Sequence, residues 1–363
     1  MNYVNRKQMT ILTQLAVVVC ALAAAFVVAA QTGSATLLIL EKRDRSLAIV
    51  DPASLQILAR VPAGEDPHEV VASPDGKFAY ASNYGGPQSR LNTISVIDLA
   101  ARKPLPPIDL GALHGAHGLA FAGGKLYFTA ETNKVIARYD PATQRIDWIL
   151  GTGQDRTHMI FVEPDLEHIF TSNVSSDSIS IIEQTLDANP FGPPPGQGGA
   201  GNAGPPPGAP PGGPQKAWHE SVVHIGKGPE GFDAAPGGKE IWAANAHSSS
   251  VSIIDVASKT VADTLSVPWK MANRLKFTLD GAKVLISDLA GPLVVMDVAS
   301  RKEIKRIDVG RGAAGIVMEP GGRRAFVAVS PDNKVVVVDL TTLQITGTIA
   351  TGNEPDGLAW VSR

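Results

Sequence analysis

Three features of this 363-residue sequence predict an all-β repeat fold. An apolar triplet closed by an acid recurs at Asp51, Asp98, Asp140, Glu183, Asp255, Asp297 and Asp339, with separations of 47, 42, 43, 72, 42 and 42 residues. Within each unit, short apolar runs alternate with Pro, Gly and Asp turns, which is a strand signal. The composition agrees: 36 Gly and 27 Pro mark many turns, and charged residues make up only 18% of the chain.

The elements follow in chain order. In residues 1–30, Arg6 and Lys7 precede an apolar run ending in small residues, with Val28 and Ala30 placed before a cleavage point. This reads as a secretory signal, or as an N-terminal anchor if it is kept. Cys20, the only cysteine, lies inside it. The rest of the chain therefore carries no disulfide, thiolate metal site or c-type haem attachment, which fits a periplasmic or secreted protein of a bacterium. A net charge of −3 gives no general attraction for nucleic acid, and membrane contact is expected only through an uncleaved 1–30 segment.

The unit at 64–110 shows the pattern. "EVVAS", "FAYASN", "TISVID" and "PPIDLG" are four strands, and "PDGK" is a turn. Four strands in about 42 residues is the blade of a β-propeller. The last unit stops after one strand, "EPDGLAWV", and the N-terminal "TLLILEKRDRSLAIVDPASLQILARV" supplies three more. One C-terminal plus three N-terminal strands close a seventh blade, so 36–363 is a single seven-bladed, four-stranded propeller without an exposed closing edge. The long separation comes from 187–216, where 190–214 holds 10 Pro and 9 Gly in 25 positions. This is a disordered or polyproline-like insertion within one blade. "PDG", "LDG" and "PGG" are strand turns, and no helix follows "GTGQDR", so it is not a phosphate loop.

The stretches "SPDGKFAYASN", "EIWAANAHSSSVSIID" and "RRAFVAVSPDNKVVVVDL" resemble repeats of the YVTN-type (YncE-like) β-propellers. The resemblance covers 36–363 apart from the insertion. It implies the fold and leaves function open, because similar propellers include lactonases, lyases, redox subunits and binding proteins.

Aligning the units on their innermost strands gives "PHEV", "AHGL", "THMI", "PEGF", "ANRL", "AAGI" and "PDGL". The second positions are His68, His117, His158, Glu230, Asn273, Ala314 and Asp356, a ring at one mouth of the central channel. His68, His117 and His158 are the candidate ligands of one divalent transition metal, Cu, Zn or Fe. Glu230 and Asp356 are candidate carboxylate ligands or bases, and Arg274 a candidate anion clamp. A metal-free general base among the histidines is the other chemical reading. The plain reading is that the rings bond nearby loop carbonyls.

Loops between second and third strands bring Asn83, Glu131, Asn173, Asn245, His247, Asp288 and residues 41–45 to the same face. His114, His168, His219 and His224 read as surface residues. The expected function is an exported metal-assisted hydrolase or lyase of the lactonase kind, or an oxidoreductase. The alternative is a non-enzymatic envelope scaffold or binding module. A monomer that takes a small molecule or an envelope protein on its top face is expected in either case.

Overall fold

The computed structural model describes residues 35–86, 90–187 and 215–362. The expected signal segment 1–30 and positions 188–214 of the expected insertion lie outside them. The strands form seven antiparallel four-stranded sheets. First strands of successive blades touch one another in a closed circle, which places them around an axis. In chain order they are Pro67–Ala72, Ala116–Ala122, Thr157–Val162, Pro229–Ala234, Ala272–Phe277, Ile316–Met318 and Pro355–Val361, and they open blades one to seven.

Blade seven is closed as the sequence predicts. Pro355–Val361 pairs with Thr36–Glu41, followed by Ser46–Asp51 and Gln56–Pro62. Leu37 faces Trp360, Leu38 faces Ala359 and Ile39 faces Leu358. The chain ends are thereby joined by a strand ladder, and the ring has no free inner edge.

Burial explains the local sequence. Middle strands are covered on both faces by neighbouring blades, so Lys125–Ala130 and Arg324–Val329 read as continuous apolar runs. Outer strands alternate, as in Arg145–Gly151, where every second residue is exposed. Large side chains fill the seams between blades. Trp242 of blade four meets Phe277 of blade five edge-on at 5.8 Å, and Phe326 of blade six meets Trp360 of blade seven at 5.8 Å. Burying each such side chain stabilises the fold by roughly 1.5–3 kcal/mol. In blade three the last two strands, Ser178–Asp187 and Gln215–His224, run to 10 residues each and carry the insertion point beyond the body of the blade.

Candidate functional site at the channel mouth

Local sequence aims the ring residues at the axis through β-bulges. In blade one Pro67 pairs with Asn83 and Val70 with Ala81, so His68 and Glu69 together oppose Ser82. The same step occurs between Ala116 and Leu119, Thr157 and Ile160, and Ala272 and Leu275. Two residues against one bend the strand and redirect its side chains. The displaced N–H groups are caught by hydroxyls of the middle strand. Ser82 Oγ accepts from Glu69 N at 3.1 Å, Thr129 Oγ1 from Gly118 N at 2.9 Å, Ser172 Oγ from Met159 N at 3.2 Å and Ser287 Oγ from Arg274 N at 2.9 Å. This is why Ser and Thr interrupt otherwise apolar strands. His68, His117, His158, Glu230, Asn273 and Asp356 are each the second residue of a first strand, whereas Ala314 falls two residues before the short Ile316–Met318.

The three histidines come together. His117 Nε2 lies 3.1 Å from His68 Nδ1, and His68 Nε2 lies 3.2 Å from Asp66 Oδ2. The chain assigns tautomers when both rings are neutral: His68 donates to Asp66 through Nε2, so its Nδ1 accepts from His117 Nε2. His117 Nδ1 is then a bare lone pair, and it is buried without a hydrogen-bond partner among the described residues. The His117 and His158 rings overlap, with centroids 3.7 Å apart and planes tilted by 32°.

His158 sits between two carboxylates. Its Nδ1 is 2.5 Å from Glu131 Oε1 and its Nε2 is 3.0 Å from Glu230 Oε2. Tyr84 donates to the other Glu131 oxygen at 2.6 Å, and Arg156 reaches Glu230 at 3.2 Å and Glu131 at 3.8 Å. His117, Glu131 and His158 are 1%, 7% and 2% exposed, so these interactions act in a poorly solvated space.

Electrostatics set the two stacked imidazoles apart. Burial, then the charges of His158 and neighbouring groups, holds His117 well below the usual histidine range. Burial also opposes charge on His158, but its bonds to Glu131 and Glu230 outweigh it and raise its pKa. Burial would raise Glu230, yet His158 and the arginines bring it down to about 2. Burial and the Glu131 charge push the Tyr84 hydroxyl up, so it stays a donor.

Arg274, the expected anion clamp, reaches across the channel to Glu69, 205 residues away in sequence, at 2.6 Å. Its charge is already matched there, and its Nη1 is buried without a partner among the described residues. Asp356 lies 3.4 Å from Lys42 Nζ and 4.0 Å from His68 Nδ1. These groups, with Ala314, Leu289 and Ser330, line a cavity of about 450 Å³ that also borders the three histidines and Glu230. Most of its lining is ionisable, and Asn273, Leu289, Ala314, Ser330 and Pro331 are its neutral members.

The expected loop residues divide. Asn83 Nδ2 donates to Thr93 at 2.9 Å, Asn173 to Ser180 at 2.8 Å and Asn245 to Ser252 at 2.9 Å, so these amides tie middle to third strands. Asp288 accepts from the backbone of Lys270 and Met271. Glu131 alone of that group touches the histidines. It immediately follows the middle strand Lys125–Ala130, as Tyr84 follows Phe78–Asn83, Lys42 follows Thr36–Glu41 and Ser330 follows Arg324–Val329. These positions make an outer ring that reading the innermost strands alone could not reveal. Arg156, Tyr84, Glu69 and Asp66 also belong to the site, although no repeat position in the sequence singles them out. Arg156 stands in the "GTGQDR" stretch, two residues before His158, and its left-handed backbone (φ 56°) turns it into the site. His114 and His168 are half-buried and bonded locally, to Ala112 O at 3.0 Å and Asp165 at 2.6 Å. His219, His224 and His247 are exposed.

The fold and the site together define a seven-bladed β-propeller with a His–Glu–His group at one channel mouth that could hold a metal ion, its donor atoms all within 4.8 Å of one another. No family model matches the chain, and no curated protein matches it. Solved structures match its fold. A functionally unknown protein from Desulfotomaculum acetoxidans is 12% identical with a TM-score of 0.67, over 90% of this chain and 98% of that one. Hydrazine synthase from Kuenenia stuttgartiensis is 16% identical with a TM-score of 0.60, over 81% and 89%. The β-propeller domain of Cps50 (Swd1) from Myceliophteria thermophila is 10% identical with a TM-score of 0.61, over 83% and 91%. At these identities the likeness is one of fold.

Proposed function

We propose that the protein is an exported propeller enzyme that holds one divalent transition metal on His117, Glu131 and His158 and acts on a small carbonyl-bearing substrate in the adjoining cavity. The observation that carries this reading is the buried, unpartnered lone pair of His117 Nδ1 beside a second imidazole and a carboxylate. Two nitrogens and one oxygen suit Zn, Cu or Fe and leave positions open for substrate or water. A metal there supplies Lewis acidity to a carbonyl or a water of lowered pKa. His68 orients His117 through its Nε2, as outer partners of metal ligands do. Glu230 accepts the hydrogen bond of His158 Nε2–H, and Arg156 holds Glu230 in place. The neutral lining residues, Leu289, Ala314 and Pro331 among them, take the body of the substrate. Hydrolysis or ring-opening of lactones and esters is the reaction to test, in the periplasm or outside the cell.

The test is turnover of a lactone and ester panel by protein loaded with Zn, Cu or Fe, beside Glu131→Gln and His117→Ala. Turnover that needs metal and falls at least a hundredfold in both variants supports the reading. Equal turnover in the chelator-treated protein contradicts it.

A second reading is metal-free acid–base chemistry. It is favoured by the commitment of both His158 nitrogens to carboxylates, which leaves that ring charged and the stacked His117 neutral, a matched acid and base. Turnover retained after chelation and lost in His158→Gln would establish it.

A further inference from the structure

A second cavity, of about 610 Å³, opens at the other end of the blades. Glu163 follows the strand Thr157–Val162 and so lies at the end opposite His158. The walls come from the turns after the first strands of blades three, four and five, and include Phe161, Pro236, Phe277 and Leu279. Leu279 is 54% exposed and so within reach of a ligand from solvent.

The acids around this cavity are not equivalent. Asp165 accepts from the His168 ring at 2.6 Å and from backbone N–H groups. Asp233 accepts from Lys276 Nζ and Phe277 N, both at 3.0 Å. Glu163 has no side-chain hydrogen bond or ion pair among the described residues. Its carboxylate lies against the glycine turn 237–238, where a Cβ on Gly238 would be 3.3 Å from Oε1. Glu163 is thus the carboxylate of this cavity without a bonded partner, beside Phe, Pro and Leu side chains, and it suits a ligand that joins a positive charge to an apolar body. A size within the usual range for small-molecule sites agrees with that.

We infer that this bottom-face cavity is a binding site for an organic ammonium ion with an aryl or alkyl body, held by Glu163 and the Phe161, Pro236, Phe277 and Leu279 walls. The site is independent of the histidine cluster and of its chemistry. Burial raises the Glu163 pKa, and Asp165 adds to the rise, so binding weakens as pH falls and the carboxylate is neutralised.

The experiment is calorimetric titration of the full chain with phenethylammonium and with its neutral counterpart, phenethyl alcohol, at pH 7.5. The expected result is at least tenfold tighter binding of the cation. That preference is lost in Glu163→Gln, is lost in Leu279→Arg, where the new guanidinium occupies the carboxylate, and is kept in His158→Ala. Equal binding of cation and alcohol overturns the inference. So does an unchanged preference in Glu163→Gln and Leu279→Arg, or loss of binding in His158→Ala. Circular dichroism melts of both cavity variants confirm that the compared proteins are folded, and Leu279→Arg, on an exposed turn, keeps the test valid if Glu163→Gln is not.

Discussion

At the scale of single residues, the site rests on two stacked imidazoles whose pKa values are driven apart. Burial opposes charge on both, but bonds to two carboxylates raise His158, while burial and the His158 charge lower His117. The consequences for stability have opposite signs. A raised His158 pKa contributes stability that is fully present below the unfolded histidine value of about 6.5 and fades as pH rises through the folded value. A depressed His117 pKa means that the unfolded chain binds a proton that the native one does not, so stability falls as pH drops below about 6.5. Glu230, held at about 2, contributes above the unfolded carboxylate range and loses that contribution as pH falls through about 2. Denaturant midpoints of chelator-treated protein between pH 5 and 9 should therefore peak near pH 6.5, as far as these two histidines govern the profile. His158→Gln should flatten the alkaline side and His117→Gln the acid side. A wild-type profile unchanged in both variants would rule out this assignment.

At the scale of the element, the bulge makes the ring, and the residue after it decides what neighbouring blades can do. Gly118, Gly231, Gly315 and Gly357 each follow a ring residue and press against the chain at the ring residue of the next blade, with a Cβ on Gly118 falling 2.5 Å from His158 O. Only a glycine lets the two strands approach that closely. Where the position is not glycine, the side chain can bridge the channel, as Glu69 and Arg274 do. Gly118→Ala is expected to cost roughly 1–3 kcal/mol by overpacking. By shifting His158, it should also weaken metal binding about tenfold to a hundredfold. Gly151→Ala, at a position with nothing within 4 Å of the added carbon, is the control and should change neither. Thermal melts and metal titrations of the two variants check this, and equal behaviour would show that the close approach does not set the site.

At the scale of the whole molecule, the sequence carries the architecture more fully than the site. Seven acids at near-constant spacing, a one-strand unit at Pro355–Val361 and three orphan strands from Thr36 to Pro62 suffice to predict a closed ring. The ring residues are equally legible, because six of the seven stand at the second position of a first strand, the same place in their repeats. Their bonded partners are not, because they come from other blades. Glu131 is 27 residues from His158, Arg156 is 74 from Glu230, and Glu69 is 205 from Arg274. Such pairs exist only once the blades have been stacked: the loop between second and third strands places Glu131 on the ring face, but nothing local to it points to His158. Arg156 was legible only as part of a loop without a phosphate-binding context.

The account's central claim is that His117, Glu131 and His158 hold a transition metal. Elemental analysis of the protein isolated from its native cells tests it most directly, beside a His117→Ala, Glu131→Gln and His158→Ala triple variant whose folding is verified by circular dichroism. The account predicts close to one Cu, Zn or Fe per chain in the native protein and none in the variant. A native protein without metal, or a folded variant that keeps it, would contradict the claim.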